Sequence, residues 1–243
     1  MKFGKTLLAA MEASKETIDP DLWMDYKKLK KQLKSLALLT AAVEIKQGEH
    51  NFFVFFQSEL KKVELKFQEL IAEARSKSAH VLSPSPSSKT DVKTEQVECM
   101  DAHMYVLLVE NYAVLNYCAF AKILKKHDKC TNRATREKVM GKAVNNLKFA
   151  DVRELRDLLV RIEQHFNAKR DDQSNFPSVL LAKSPRHRTL QSINTGLSDR
   201  LSELATVAAE VAGSALCDDG SKSDSQNSHD SAKNAAKRRR QTS

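Results

Sequence analysis

The segment Leu115–Lys129, LNYCAFAKILKKHDK, does most to limit what this chain can fold into. At 3.6 residues per turn, Phe120, Ile123 and Leu124 share one side of a helix. Lys122, Lys125, Lys126 and Lys129 fall on the opposite side, within about a third of the circumference. Such a helix has one face for a core and one face for something strongly negative. Cys118, set between Tyr117 and Phe120, reads as a core thiol.

The rest of the chain agrees with an all-α fold. Only six Gly and five Pro occur in 243 residues, 41% of residues are hydrophobic, and Leu, Lys, Ala and Glu dominate. The net charge of +9 and a pI near 9.3 predict an acidic partner: nucleic acid, a phosphorylated small molecule or an anionic membrane. Cys99, Cys118, Cys130 and Cys217 include no CxxC pair, so neither a zinc site nor a disulfide framework is expected, and a reducing compartment is the simpler reading. No apolar run reaches about 18 residues, so no membrane-spanning segment is expected.

Apolar periodicity divides the chain. Phe3, Leu7, Leu8 and Met11 predict an amphipathic first helix rather than a leader. Asp19–Pro20–Asp21 opens a second helix, expected to run to about Leu39 with Leu22, Tyr26, Leu29, Leu33 and Leu36 on its apolar face. A long helix is expected over about Gly48–Ser78, with Phe52, Phe53, Phe55 and Phe56 clustered near its start. A Pro/Ser-rich insert follows, about 79–93. A second long helix is expected over about Thr94–Lys129, then shorter ones over Ala134–Gly141 and Asp151–Phe166. The reading is therefore a domain over 1–169, a linker over 170–192, a helical segment over 193–216, and a disordered, basic-ended tail over 217–243.

The second helix carries its own cationic arc. With Leu22 at zero degrees, Lys30 lies beside the apolar face, followed by Lys34, Lys27 and Lys31. Lys28 falls elsewhere and reads as ordinary solvation, while Tyr26 sits at the apolar edge. The i,i+4 pairs Lys30/Lys34, Lys27/Lys31 and Lys122/Lys126 repel, at about 0.2–0.5 kcal/mol per pair. A ligand bearing several phosphates offsets that repulsion through charge-assisted hydrogen bonds. Each lysine face taken alone also fits plain solvation. Nucleic acid is the competing partner, but these helices carry few exposed aromatics and little Arg or Asn for base edges.

Four segments in order and spacing, MKFGK at the start, YKKLKK at Tyr26–Lys31, FFQSELKKVELKF at Phe55–Phe67 and LNYCAFAKILKKHDK at Leu115–Lys129, resemble the SPX domain across about residues 1–169. The resemblance implies an N-terminal helical hairpin packed on an elongated bundle with two long helices. It also implies a basic pocket for inositol polyphosphates and inositol pyrophosphates. No Ser/His/Asp or paired-carboxylate arrangement argues for catalysis, so neither an enzyme nor a cofactor is expected. Carried over position by position, the pocket comprises Lys2, Tyr26 and Lys30, with Lys34 one turn on, then Lys122, Lys126 and Lys129, and Lys125 as a neighbouring surface lysine. Ala119 and Ala121 depart from the family pattern at positions read as packing. No membrane span, RING-type array or polymerase-like domain is recognised after the domain, so a stand-alone protein is expected. It is similar to the plant SPX proteins that sequester phosphate-starvation transcription factors.

Other signals are weaker. His127–Asp128 lacks the further ligands of a metal-dependent phosphohydrolase and reads as structural, capping the end of its own helix. Gly141–Lys142 is no P-loop. Lys237, Arg238, Arg239 and Arg240 are either a nuclear localisation signal or a nonspecific basic tail. Ser184–Pro185 beside Arg186 and Arg188 is a candidate phosphorylation site. The seam Leu197, Leu201, Leu204, Ala208 and Val211 fits either dimerisation, a partner helix, or packing on the bundle. The expected function is phosphate-status sensing through a transcription-factor partner, in nucleus and cytoplasm. The alternative is an accessory subunit of a phosphate transporter or polyphosphate polymerase complex. Neither membrane insertion nor direct nucleic-acid binding is expected.

Overall fold

The computed structural model describes residues 3–83 and 92–168, with side chains from residue 94 onward in the second stretch. All of them belong to one compact unit, Met1–Asp199. Lys2, most of the Ser/Pro-rich insert, the linker, the 193–216 segment and the tail with Lys237–Arg240 lie outside the described residues.

The described residues of the unit form six α-helices: α1 (Phe3–Ser14), α2 (Tyr26–Leu36), α3 (Ala42–Leu82), α4 (Val92–Thr131), α5 (Arg136–Val139) and α6 (Arg153–Ala168). At 1.5 Å per residue, α3 and α4 are each roughly 60 Å long. Both exceed the lengths expected from sequence. Helix α3 starts six residues earlier than Gly48 and continues to Leu82, into the expected insert. No Pro or Gly stands between Val43 and Gln47, or between Ser78 and Leu82, to stop it. At its far end α4 stops where Asn132 adopts a left-handed φ of 53°, with the Arg133 N–H reaching back to the Asp128 carbonyl.

The second helix needs correction at its start. Pro20–Leu22 is a separate 3-10 turn, capped by Asp19, whose carboxylate accepts the Asp21 N–H at 2.9 Å. The chain then bends through Trp23–Asp25. Asp25 caps α2 by accepting the Lys28 N–H at 2.8 Å. Leu22 therefore stands on a different element from Leu29, Leu33 and Leu36, the residues α2 buries. The short helix expected over Ala134–Gly141 is also shorter and later, a single turn followed by a π-turn at Met140–Val144.

Helix α4 is the axis of the bundle. Between Val106 and Leu124 it is buried on nearly every side. It is long and apolar enough to cross a membrane, against the sequence expectation, yet 83% of its most apolar window is buried inside the fold, as for a core helix. Phe52, Phe56, Val63, Phe67 and Ala74 of α3 pack toward the core. Phe56 meets Phe120 edge-on at 5.2 Å, and Phe120 meets Phe149 at 5.8 Å. Helix α6 buries Leu155, Leu158, Ile162 and Phe166, and its polar flank is tied down by Arg75–Glu154 and by Arg156–Glu110 at 2.9 Å. Ala119 and Ala121 are buried, as expected of packing residues, and Cys118 is a buried free thiol.

Candidate functional site

Three buried polar groups decide where α2 begins. The Tyr112 hydroxyl donates to the Leu22 carbonyl at 2.8 Å, and Asn116 Oδ1 accepts the Met24 N–H at 3.0 Å. Both belong to α4. From α3, Glu59 Oε2 accepts the Asp25 N–H at 2.7 Å. Burial pushes the Tyr112 phenol well up, with the charges of Glu59 and Glu69 adding to it, so it stays a neutral donor. Trp23 seals the bend, edge-on to Tyr112 at 4.8 Å.

This anchoring brings the first turn of α2 beside the last turns of α4. Between them, with α1 and α3, lies an open cleft of about 1110 Å³. Lys27, Lys28 and Lys30 line it from α2, and Lys122, Lys125, Lys126 and Lys129 from α4. Lys5 of α1 and Lys62 of α3 complete the cationic lining, against the carboxylates of Asp21, Asp25 and Glu59. Two lysine ridges about 90 residues apart in the chain therefore share one cleft.

Some of this charge is already compensated. Lys62 Nζ sits 2.8 Å from Glu59 Oε2. Lys28 Nζ lies 4.2 Å from the centre of the Phe55 ring and Lys122 Nζ 5.2 Å from that of Phe3. Lys30, Lys125, Lys126 and Lys129 form no salt bridge with a described residue. Tyr26 is half-buried, edge-on to Phe3 at 5.4 Å, and burial raises its phenol, which keeps the hydroxyl protonated as a donor at the cleft. The result is a high density of ammonium donors with a neutral hydroxyl among them, suited to a compact polyanion.

Of the residues expected from sequence, Tyr26, Lys30, Lys122, Lys125, Lys126 and Lys129 converge. Lys34 is exposed and lies outside the described lining, because it stands further along α2 than the turn that meets the cleft. Lys28 is a correction in the opposite sense. Assigned to plain solvation, it lines the cleft, drawn there by Phe55 of another helix. Lys5 and Lys62 were not picked out. Lys5 was detectable from its place in MKFGK, whereas no local pattern marks Lys62.

His127–Asp128 is structural, though not as expected. Asp128 caps the following segment rather than its own helix: its carboxylate accepts from the Thr135 N–H and the Arg136 N–H, each at 3.0 Å, and from the Thr135 hydroxyl. Burial pushes its carboxyl up, and those hydrogen bonds more than reverse this, holding it below the usual range. His127 is fully buried, stacked on Phe52 at 5.2 Å, with Nδ1 3.0 Å from the Thr135 hydroxyl. Among the described residues, no group of three or more His, Cys, Asp or Glu is placed to hold a metal ion.

Comparison with known proteins agrees with this architecture. The family model of the SPX domain matches residues 94–143. SPX domain-containing protein 1 of Arabidopsis thaliana is 28% identical over 216 residues, covering 80% of this chain and 81% of that protein. SPX domain-containing protein 5 of Oryza sativa subsp. indica is 28% identical over 183 residues, covering 74% and 69%. Among solved structures, the SPX domain of Chaetomium thermophilum glycerophosphodiester phosphodiesterase 1, in complex with inositol hexakisphosphate, superposes with a TM-score of 0.58 at 20% identity, over 69% of this chain and 98% of that one. A family match across the lysine-bearing part of α4, relatives spanning most of the chain and a shared helical architecture make this chain similar to SPX-domain proteins.

Proposed function

We propose that the protein is a non-enzymatic sensor of phosphate status that binds inositol polyphosphates or pyrophosphates in the lysine cleft and thereby controls a protein partner, a phosphate-starvation transcription regulator. The observation that carries this reading is the convergence of Lys30 with Lys122, Lys125, Lys126 and Lys129 in one open cleft. The fold-sharing SPX domain bound to inositol hexakisphosphate supports the ligand class. The plant relatives support the regulatory class.

The mechanism follows from charge. Several phosphates on one small ring satisfy lysines that otherwise repel one another, each contact being a charge-assisted hydrogen bond. Phosphate oxygens left pointing outward then present a negative surface, so the ligand bridges this basic protein to a second basic one. The basic run Lys237–Arg240 supports a nuclear pool beside a cytoplasmic one.

Calorimetry with inositol hexakisphosphate tests the site. Binding is expected for the full chain and lost in both Lys30→Ala and Lys126→Ala, and it weakens as salt rises. Unchanged affinity in both variants excludes the cleft. Affinity capture with and without an inositol pyrophosphate tests the partner: a transcription regulator retained only with ligand supports the reading, and ligand-independent capture of membrane transport subunits replaces it.

A further inference from the structure

The cleft is not cationic throughout. Phe3, Leu7, Leu8 and Met11 of α1 line it alongside the lysines. Leu8 is 64% exposed. Trp23 lines the same cleft, is 2% exposed, and its indole N–H is buried without a hydrogen-bond acceptor among the described residues. With the nitrogen closed to solvent, Trp23 contributes its ring to the apolar wall.

A fully water-soluble polyphosphate uses the lysines and leaves the apolar wall unmatched. A peptide spreads its charges at one per residue along an extended chain, with alternate side chains on opposite faces, too thinly for four lysines packed within about two helical turns. A ligand that joins a compact phosphorylated head to an apolar body matches both features. Its phosphates meet Lys126 and Lys30, and the hydrocarbon covers Leu8 and Met11.

We infer that the cleft also accepts a polyphosphorylated inositol lipid, held by its headgroup on the lysines and by its first acyl carbons on the α1 wall. This rests on the polyphosphate reading given above and extends it from soluble inositol phosphates to a membrane-borne form. Each buried methylene strengthens binding roughly fourfold, so burial of two or three corresponds to about tenfold or more.

The experiment is calorimetry on the full chain with three probes: inositol hexakisphosphate, free inositol trisphosphate, and monomeric dioctanoyl phosphatidylinositol bisphosphate carrying that headgroup. The lipid is expected to bind about tenfold more tightly than its free headgroup. Because Trp23 is the single tryptophan of the chain, its emission reports directly on the wall. It is expected to shift with the lipid and not with the headgroup. Leu8→Ser lies outside the lysine ridges at an exposed position, and is expected to remove the lipid's advantage while hexakisphosphate affinity is retained. Phosphatidylcholine vesicles carrying the same lipid are expected to co-sediment the protein, and plain ones not. Equal affinity for lipid and headgroup overturns the inference and leaves the soluble-ligand site standing. Failure of all three probes overturns both.

Discussion

Glu59 of α3 accepts the backbone N–H of Asp25 at 2.7 Å, one residue before α2 begins. It is 5% exposed and also holds Lys62. A carboxylate inside a lysine cleft weakens polyanion binding, so its presence has a structural reason: it fixes the point from which the α2 lysines project. Glu59→Ala leaves the Asp25 N–H unmatched and is expected to cost about 1–3 kcal/mol of stability, read by thermal or urea melts. Glu59→Gln keeps an acceptor and removes one negative charge. It is expected to lose less stability and to bind inositol hexakisphosphate several-fold more tightly at low salt.

Tyr112→Phe removes the donor to the Leu22 carbonyl while keeping the ring against Trp23. A loss of about 1 kcal/mol is expected in melts. Affinity for inositol hexakisphosphate is expected to fall as well, although no lysine has changed, because the bend that aims α2 has loosened.

Lys28 and Lys34 separate the cleft from the sequence arc. Lys28→Ala is expected to weaken hexakisphosphate binding by about tenfold, the contribution of one partly solvated charge-assisted contact. Lys34→Ala is expected to change it little. Calorimetry on the two variants side by side reads the difference, and the reverse order would contradict the cleft as described.

Asp128 provides a pH test. Its folded carboxyl lies below the ordinary 3.8. Stability from this cap is therefore fully present above about pH 4 and is lost as pH falls through the lower folded value. Asp128→Ala is expected to cost about 1–2 kcal/mol near neutrality. In melts, the gap between wild type and variant should shrink below about pH 4.

Gly48 marks a close crossing. A Cβ there would stand 2.9 Å from Leu36 Cδ1 and 3.1 Å from Leu39 Cδ1. Gly48→Ala meets only the ends of flexible side chains and gains helix propensity of about 1 kcal/mol, so a near-neutral melt is expected. Gly48→Val overfills the crossing and is expected to lose about 1–3 kcal/mol.

Periodicity made the lysine face of α4 legible: Phe120, Ile123 and Leu124 are buried, and Lys122, Lys125, Lys126 and Lys129 all reach the cleft. The same method misjudged α2 in two ways. Its phase was set from Leu22, which stands beyond a bend. A helical wheel also yields angle and not distance along the axis. Lys30 and Lys34 look alike on it, yet only the former lines the cleft. Lys28 was missed because Phe55, which draws it in, comes from another helix.

What the residues alone determined was local: helix where apolar spacing is 3.6, charge where lysines share a turn, and a cap where Asp stands before a helix. The convergence of the two ridges was decided only by tertiary structure. Side chains from α3 and α4 capture the backbone of Leu22, Met24 and Asp25. Hydrogen bonds between residues so far apart in sequence carry no periodicity, so they exist only once the core has brought the helices together.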